Sequence, residues 1–242
     1  MFNIMSQNQR IIKTPMFLED LIKNAKQIMD VGTGPMGSFW YKYVNDDAEV
    51  VGINRFFIPK TRTKHYLLAK IDALVLEDID EIDVIKVEDN TGNEINGKLK
   101  FCENFDLVVA DHVFEHVENP AKLARGVYKS LKKGGMIHIG IPHADNFTDR
   151  FYHLIHPEGG GHISSLTKES MIKIMEDAGF KLIKYADWPD DWGWLERLYD
   201  WKGRGVKYFS QDDIDYIVKV FRKELTPEKG YLYGGEYVFQ KI

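Results

Sequence analysis

The stretch IMDVGTGPMG, residues 28–37, decides the fold. Ile28-Met29-Asp30-Val31 is a short apolar run of strand character, and it leads directly into Gly32-Thr33-Gly34-Pro35-Met36-Gly37. Ser38 to Val44, SFWYKYV, then reads as a helix. This order puts a glycine-rich turn at the carboxyl end of a first strand, the edge at which open α/β sheets bind ligands. Glycine lets a ligand approach the backbone closely, and the helix that follows offers unpaired N–H groups at its start. Pro35 suits the first turn of such a helix. The spacing Gly32-x-Gly34-x-x-Gly37 also satisfies the dinucleotide pattern, so the glycines alone do not select the ligand. Asp30 bears on the choice. A carboxylate beside the turn repels a pyrophosphate and suits an ammonium group. The same acid also fits a tight structural turn that it caps.

Outward from this turn, strands and helices alternate. PMFLEDLIKNAK, residues 15–26, carries apolar positions at helical spacing. EVVGI, residues 49–53, is a second strand that ends at Asn54, and HYLLAK, residues 65–70, is a third. Residues 77–104 read as an insertion, in which the alternating VIKVED and the turn-rich NTGNEING predict a β-hairpin. FDLVVAD, residues 105–111, is a buried strand. Asn119 to Lys132 is an amphipathic helix with Asn119 as cap and Pro120 in the first turn; Gly134-Gly135 ends it before the strand MIHIGIP. Thr167 to Ala178 is a capped helix stopped by Gly179. KLIKYADW and EYVFQKI are the last two strands. This alternation predicts a mostly parallel sheet with helices on both faces.

The 242 residues suit one large α/β domain, and 44% hydrophobic residues suffice for its core. A net charge of -5 argues against broad nucleic-acid binding. Cys102 is the one cysteine, which excludes an intrachain disulfide and a cysteine zinc site. No signal peptide and no membrane-length apolar run is read, so the expectation is a cytoplasmic protein without membrane contact.

With these residues placed, the chain resembles the class I S-adenosylmethionine-dependent methyltransferases, and within them the broad small-molecule branch that contains the ubiquinone-biosynthesis type. IMDVGTGPMG resembles their first motif and VVGIN their second, with Asn54 where an acid is usual. IDAL, residues 71–74, resembles the stretch after the third strand. FDLVVADHVFEHVENP followed by LKKGGMIHIGIP is the most specific match, and SLTKESMIKIMEDAGFKLIKY resembles the helix and strand after it. The resemblance implies a Rossmann-like seven-stranded, mostly parallel sheet with an antiparallel last strand. It implies S-adenosylmethionine as cofactor and a small-molecule methyl acceptor, methylated on O or N. A sugar or glycan precursor is suggested by the polar, aromatic region late in the chain. The cofactor-binding positions carried over are Asp30, Gly32, Thr33 and Gly34 at the methionine part, Asn54 at the ribose, Asp72 and Ala73 at the adenine, and Ala110 and His116 along the fourth-strand loop. Asp89 rivals Asp72.

Asn54, twenty positions after Gly34, can accept and donate toward ribose hydroxyls but lacks charge assistance; strand-terminal turns also commonly carry Asn. His112, Glu115 and His116 can share one helical face, and these offsets occur in one class of zinc hydrolases, though there on a helix rather than after a sheet strand. Some ubiquinone-pathway and small-RNA-end methyltransferases carry two acids and a histidine in this loop as metal ligands. Here the first acid position is His112, and His162 of GGGHISS offers a further imidazole. The expectation is a loop held by hydrogen bonds that lines the cofactor side, with no metal. His143, just after MIHIGIP, is the candidate general base; His153 and His156 are loop residues. Residues 188–209 hold four of the five tryptophans and, within 188–230, predict a lid, an acceptor pocket or a local core. One methyltransferase domain over 1–242 is expected. Two other classes compete: a nicotinamide-dependent oxidoreductase, against which Asp30 argues, and a non-catalytic binding protein, which Asn54 permits.

Overall fold

A computed structural model describes residues 17–33, 39–55, 66–87, 94–146, 149, 161–189, 210, 212 and 232–242. Gly34, Asp89, His153, His156 and most of 188–230 lie outside the described residues. The strands are β1 Gln27–Val31, β2 Glu49–Asn54, β3 Tyr66–Lys70, β4 Glu81–Val87, β5 Glu94–Lys100, β6 Phe105–Asp111, β7 Leu131–Pro142, β8 Phe180–Pro189 and β9 Leu232–Lys241. The helices are α1 Leu18–Asn24, α2 Pro120–Ser130 and α3 Lys168–Asp177. Where the sequence predicts a helix over 38–44, a short 3-10 helix covers Phe39–Tyr43.

All nine strands form one sheet in the order β5-β4-β3-β2-β1-β6-β7-β9-β8. From β3 to β7 every neighbour is parallel, and β9 lies antiparallel between β7 and β8. These seven strands are the mostly parallel sheet with an antiparallel last strand. β4 and β5 pair antiparallel with each other and extend the sheet beyond β3. The strand order reverses between β1, which continues toward β2, and β6, which continues toward β7. That switch point lies at the carboxyl ends of β1 and β6, the place where open α/β sheets bind ligands.

Alternation along the strands sorts side chains onto two faces. Met29, Val31, Val108, Ala110 and Ile139 join the larger core, with Leu123 and Val127 of α2 and Met171 and Met175 of α3. Ile28, Val50, Leu107 and Val109 join the smaller core under Leu18 and Ile22 of α1 and Trp40. Asp30 and Asp111 stand at alternate positions to the larger core and share the α1 face.

The helix ends follow their sequence signals. Asn119 Oδ1 accepts the backbone N–H of Lys122 at 2.9 Å. Thr167 and Ser170 form a reciprocal capping box. Gly179, at φ +99°, follows α3 in the conformation glycine tolerates best. Gly134 and Gly135 behave differently from the reading as a helix stop. α2 ends at Ser130 and β7 begins at Leu131, so the glycine pair lies within the strand. There the register shifts from Phe105↔Leu131 to Leu107↔Met136, and Gly134 takes φ +78°. The pair accommodates a bulge.

Candidate functional site

The turn after β1 is built around Asp30. The residue is 2% exposed, and its Oδ2 accepts from Thr33 Oγ1 at 2.9 Å and from the Tyr41 hydroxyl at 2.5 Å. The carboxylate therefore does cap its own turn, and Tyr41 from the 3-10 helix fixes it from the α1 face. Gly32 follows at φ +78°, which favours glycine, and its N–H donates to the Ile53 carbonyl at 2.9 Å. A Cβ on Gly32 would come within 2.5 Å of Val113 Cγ2, so the turn after β1 packs directly on the loop after β6.

β2 delivers Asn54 to the same place. Its Nδ2 donates to the Thr33 carbonyl, tying the end of β2 to the turn. Asp72 caps the short turn Ala73–Val75 by accepting Leu74 N–H at 2.9 Å, and it lies 3.3 Å from Arg55 Nε. Ala73 is partly buried against the larger core. Ala110 is fully buried in that core, which leaves only its backbone to meet a ligand. Asp30, Gly32, Thr33 and Asn54 thus come together, with Asp72 and Ala73 one strand further along the edge.

Beyond β6 the chain turns sharply, with His112 at φ +55°. Glu115, only 1% exposed, takes His112 Nδ1 at 3.1 Å on Oε1. His116 is exposed and donates from Nδ1 to the Gly161 carbonyl at 2.8 Å. His162 reaches Asp149 Oδ1 with Nδ1 at 2.9 Å, and its ring centroid stands 4.8 Å from that of His116. Among the described residues, Glu115, His116 and His162 form one group that could hold a metal ion, with ligand atoms within 4.8 Å of one another. His112 lies outside that group.

His143 is 4% exposed, just past β7. Its Nε2 is 2.5 Å from the Tyr237 hydroxyl, and its ring stacks on Tyr185. Burial pushes the Tyr237 phenol well above its ordinary range, so the phenol keeps its proton and donates to Nε2. Burial also pushes the His143 imidazole below its usual 6.5, and the ring is neutral. A base role would first have to release the Tyr237 bond.

Sequence reasoning missed Asp111 and Glu236, and it reached Trp188 only as one of the tryptophans of 188–209. Asp111 closes β6, and burial raises its carboxyl pKa, helped by the nearby Glu115 and Glu236 carboxylates. The Trp188 ring lies 5.4 Å from the His112 ring. Glu236 takes His138 Nε2 at 2.9 Å and the N–H of Phe17 at 2.8 Å, all on the α1 face. The acid in FDLVVAD directly after Ala110 was the available signal for Asp111. The Trp188 and Glu236 partners depend on strand pairing across β7, β8 and β9.

A family model described as a methyltransferase domain matches residues 5–185. The chain belongs to this methyltransferase family. The family is one of methyltransferases, with S-adenosylmethionine as cofactor. An uncharacterized Methanocaldococcus jannaschii protein is 32% identical over 84 residues, spanning 34% of this chain and 41% of that protein. Among solved structures, an Archaeoglobus fulgidus S-adenosylmethionine-dependent methyltransferase is similar at TM-score 0.57 and 17% identity, over 92% of this chain and 89% of that one. A phosphoethanolamine N-methyltransferase from Haemonchus contortus, solved with phosphomonomethylethanolamine and S-adenosylhomocysteine, is similar at TM-score 0.55 and 17% identity, over 93% of this chain and 51% of that one. At these identities the likeness is one of fold. Among the described residues no helix is long and apolar enough to cross a membrane.

Proposed function

We propose that this chain is an active methyltransferase that moves the methyl group of S-adenosylmethionine to an oxygen or nitrogen of a small molecule. The observation that carries the reading is the contact of Gly32 with Val113, which joins the turn after β1 to the loop after β6 at the switch point. A cofactor over the first and an acceptor over the second would be neighbours, as methyl transfer requires. The residues fit the cofactor: a buried, fixed carboxylate, a glycine at positive φ beside it, and amide and carboxylate groups at the ends of the next two strands.

In this reading Asp30 and the backbone of Gly32, Thr33 and Gly34 hold the methionine part. Asn54 faces the ribose, and Asp72 with Ala73 faces the adenine. Ala110 and His116 belong to the wall on the β6 side. When bound, the cofactor supplies an electrophilic methyl group on sulfonium, and the protein's part is alignment and exclusion of water. The β4–β5 hairpin would be an addition to a single domain. The sugar expectation rested on residues 188–209, of which Trp188 and Pro189 are described.

Calorimetric titration with S-adenosylmethionine and, separately, with reduced nicotinamide dinucleotide tests the reading. One S-adenosylmethionine per chain and no nicotinamide binding is expected, followed by S-adenosylhomocysteine release on a panel of small hydroxyl and amine acceptors. A folded protein that binds no S-adenosylmethionine would overturn it.

A further inference from the structure

On the α1 face, one strand over from Asp30, the β6 end carries a carboxylate whose surroundings the cofactor reading does not use. Asp111 Oδ1 is buried without a hydrogen-bond partner. Glu115 Oε2, on a residue 1% exposed, is likewise buried without one. Asp111 pairs in register with Gly140, and the space a Cβ on Gly140 would fill is already taken by Asp111 Oδ1 and the edge of the Trp188 indole. Glycine at 140 is what lets carboxylate and indole meet there. The His112 ring lies 5.4 Å from the Trp188 ring, and its Nδ1 is 3.1 Å from Glu115 Oε1. The result is two buried, unpartnered carboxylate oxygens close to an indole and an imidazole, at the end of the strand that neighbours β1.

A buried carboxylate oxygen without a donor is costly, and it is relieved either by protonation or by a cation that brings its own N–H groups. Burial and the neighbouring Glu115 and Glu236 raise the Asp111 pKa, against the opposing pull of His112 and His138, which makes the first course easier. An ammonium group would allow the second. Its N–H donors match the unpartnered oxygens, and its carbon substituents suit the indole and imidazole rings. A neutral hydroxyl brings one donor and no charge.

We propose that the cluster of Asp111, Glu115, His112 and Trp188 is the acceptor subsite and that it selects a cationic amine, making the chain an N-methyltransferase. This rests on the methyltransferase reading above and narrows its acceptor to nitrogen. An ammonium nitrogen cannot be methylated until it loses a proton. The Asp111 carboxylate takes it: one N–H bond breaks, one O–H bond forms, and the nitrogen keeps the electron pair.

The test uses the full chain, treated with EDTA and saturated with S-adenosylhomocysteine, titrated with benzylammonium and butylammonium chlorides and with the matching alcohols. Calorimetry reports binding. The expected result is that the ammonium ions bind at least tenfold tighter than their alcohols, and that Asp111→Asn removes this preference while leaving S-adenosylhomocysteine affinity unchanged. Near-ultraviolet circular dichroism establishes that the variant is folded, and Gly140→Ala, whose methyl would push Asp111 Oδ1 and the Trp188 indole apart, should abolish ammonium binding as a second route. Alcohols binding as well as ammonium ions, or neither binding a protein that holds S-adenosylhomocysteine, overturns the amine subsite and leaves the methyltransferase reading standing. So does one equivalent of Zn2+ that occupies the cluster and excludes the ammonium ions. Failure to bind S-adenosylhomocysteine at all counts against the methyltransferase reading instead.

Discussion

Asn54 Nδ2 donates to the carbonyl of Thr33, so the end of the second strand is clamped to the turn after the first. From the sequence alone, exchanging Asn54 for an acid would be expected to improve ribose binding. The clamp reverses that expectation. Asn54→Asp would set a carboxylate oxygen against the Thr33 carbonyl and loosen the turn. S-adenosylmethionine affinity should fall by about fivefold, corresponding to a lost hydrogen bond of about 1 kcal/mol. Calorimetric titration of the two proteins checks this, and tighter binding by the variant would show that the clamp is dispensable.

Asp30→Ala removes the acceptor shared by Thr33 and Tyr41 as well as the charge proposed to meet the cofactor's ammonium group. Loss of a charge-assisted hydrogen bond costs about 1.5–3 kcal/mol, or roughly ten- to a hundredfold in affinity. Asp30→Asn keeps an acceptor for the two hydroxyls and loses only the charge. If the charge is what the cofactor reads, both variants bind S-adenosylmethionine weakly and only the alanine variant also loses thermal stability. Near-native affinity in folded Asp30→Asn would remove the ammonium role and leave Asp30 a cap.

The elements most legible in the sequence are those fixed by local chemistry. The apolar runs 28–31, 49–53 and 105–111 lie in β1, β2 and β6, and Asn119 and Thr167 cap the helices they precede. The glycine pair at 134–135 was misread because Gly-Gly after an amphipathic helix resembles a stop, whereas here it serves a bulge that only the β6 pairing reveals. The site divides in the same way. Asp30, Gly32 and Asn54 are legible because a strand end and a turn announce them. That Asn54 points its amide at Thr33, or that Trp188 leans over Gly140 beside Asp111, is set by neighbours far away in sequence, and no local pattern encodes it.

Gly126 lies in α2 where the helix crosses the turn Ala73–Val75. A Cβ there would approach Leu76 Cβ to 2.7 Å and the Glu77 backbone N to 2.8 Å. Gly126→Ala gains about 1 kcal/mol of helix propensity but overpacks a backbone contact, which costs about 1–3 kcal/mol. Net destabilisation is expected. A lower urea midpoint with an unchanged m-value would confirm it. A gain in stability would mean that the turn can move away from α2.

His143 supplies the last expectation, for stability against pH. Burial lowers its pKa below the 6.5 of the free imidazole, while the unfolded chain protonates at the ordinary value. Below about 6.5 the unfolded state therefore holds more protons than the folded one, and the His143 contribution to stability declines as pH falls. The loss can reach about 1.4 kcal/mol per pH unit and levels off once the folded pKa is passed. His143→Gln keeps a hydrogen-bond acceptor for the Tyr237 hydroxyl but cannot titrate in this range. The stability difference between wild type and variant should thus be constant above pH 7 and shift in favour of the variant on acidification. Urea midpoints taken at intervals from pH 5 to pH 8 measure it. A difference that stays constant across the whole range would show that the imidazole is not held neutral by burial, and would reopen His143 as a base free to take a proton from the acceptor.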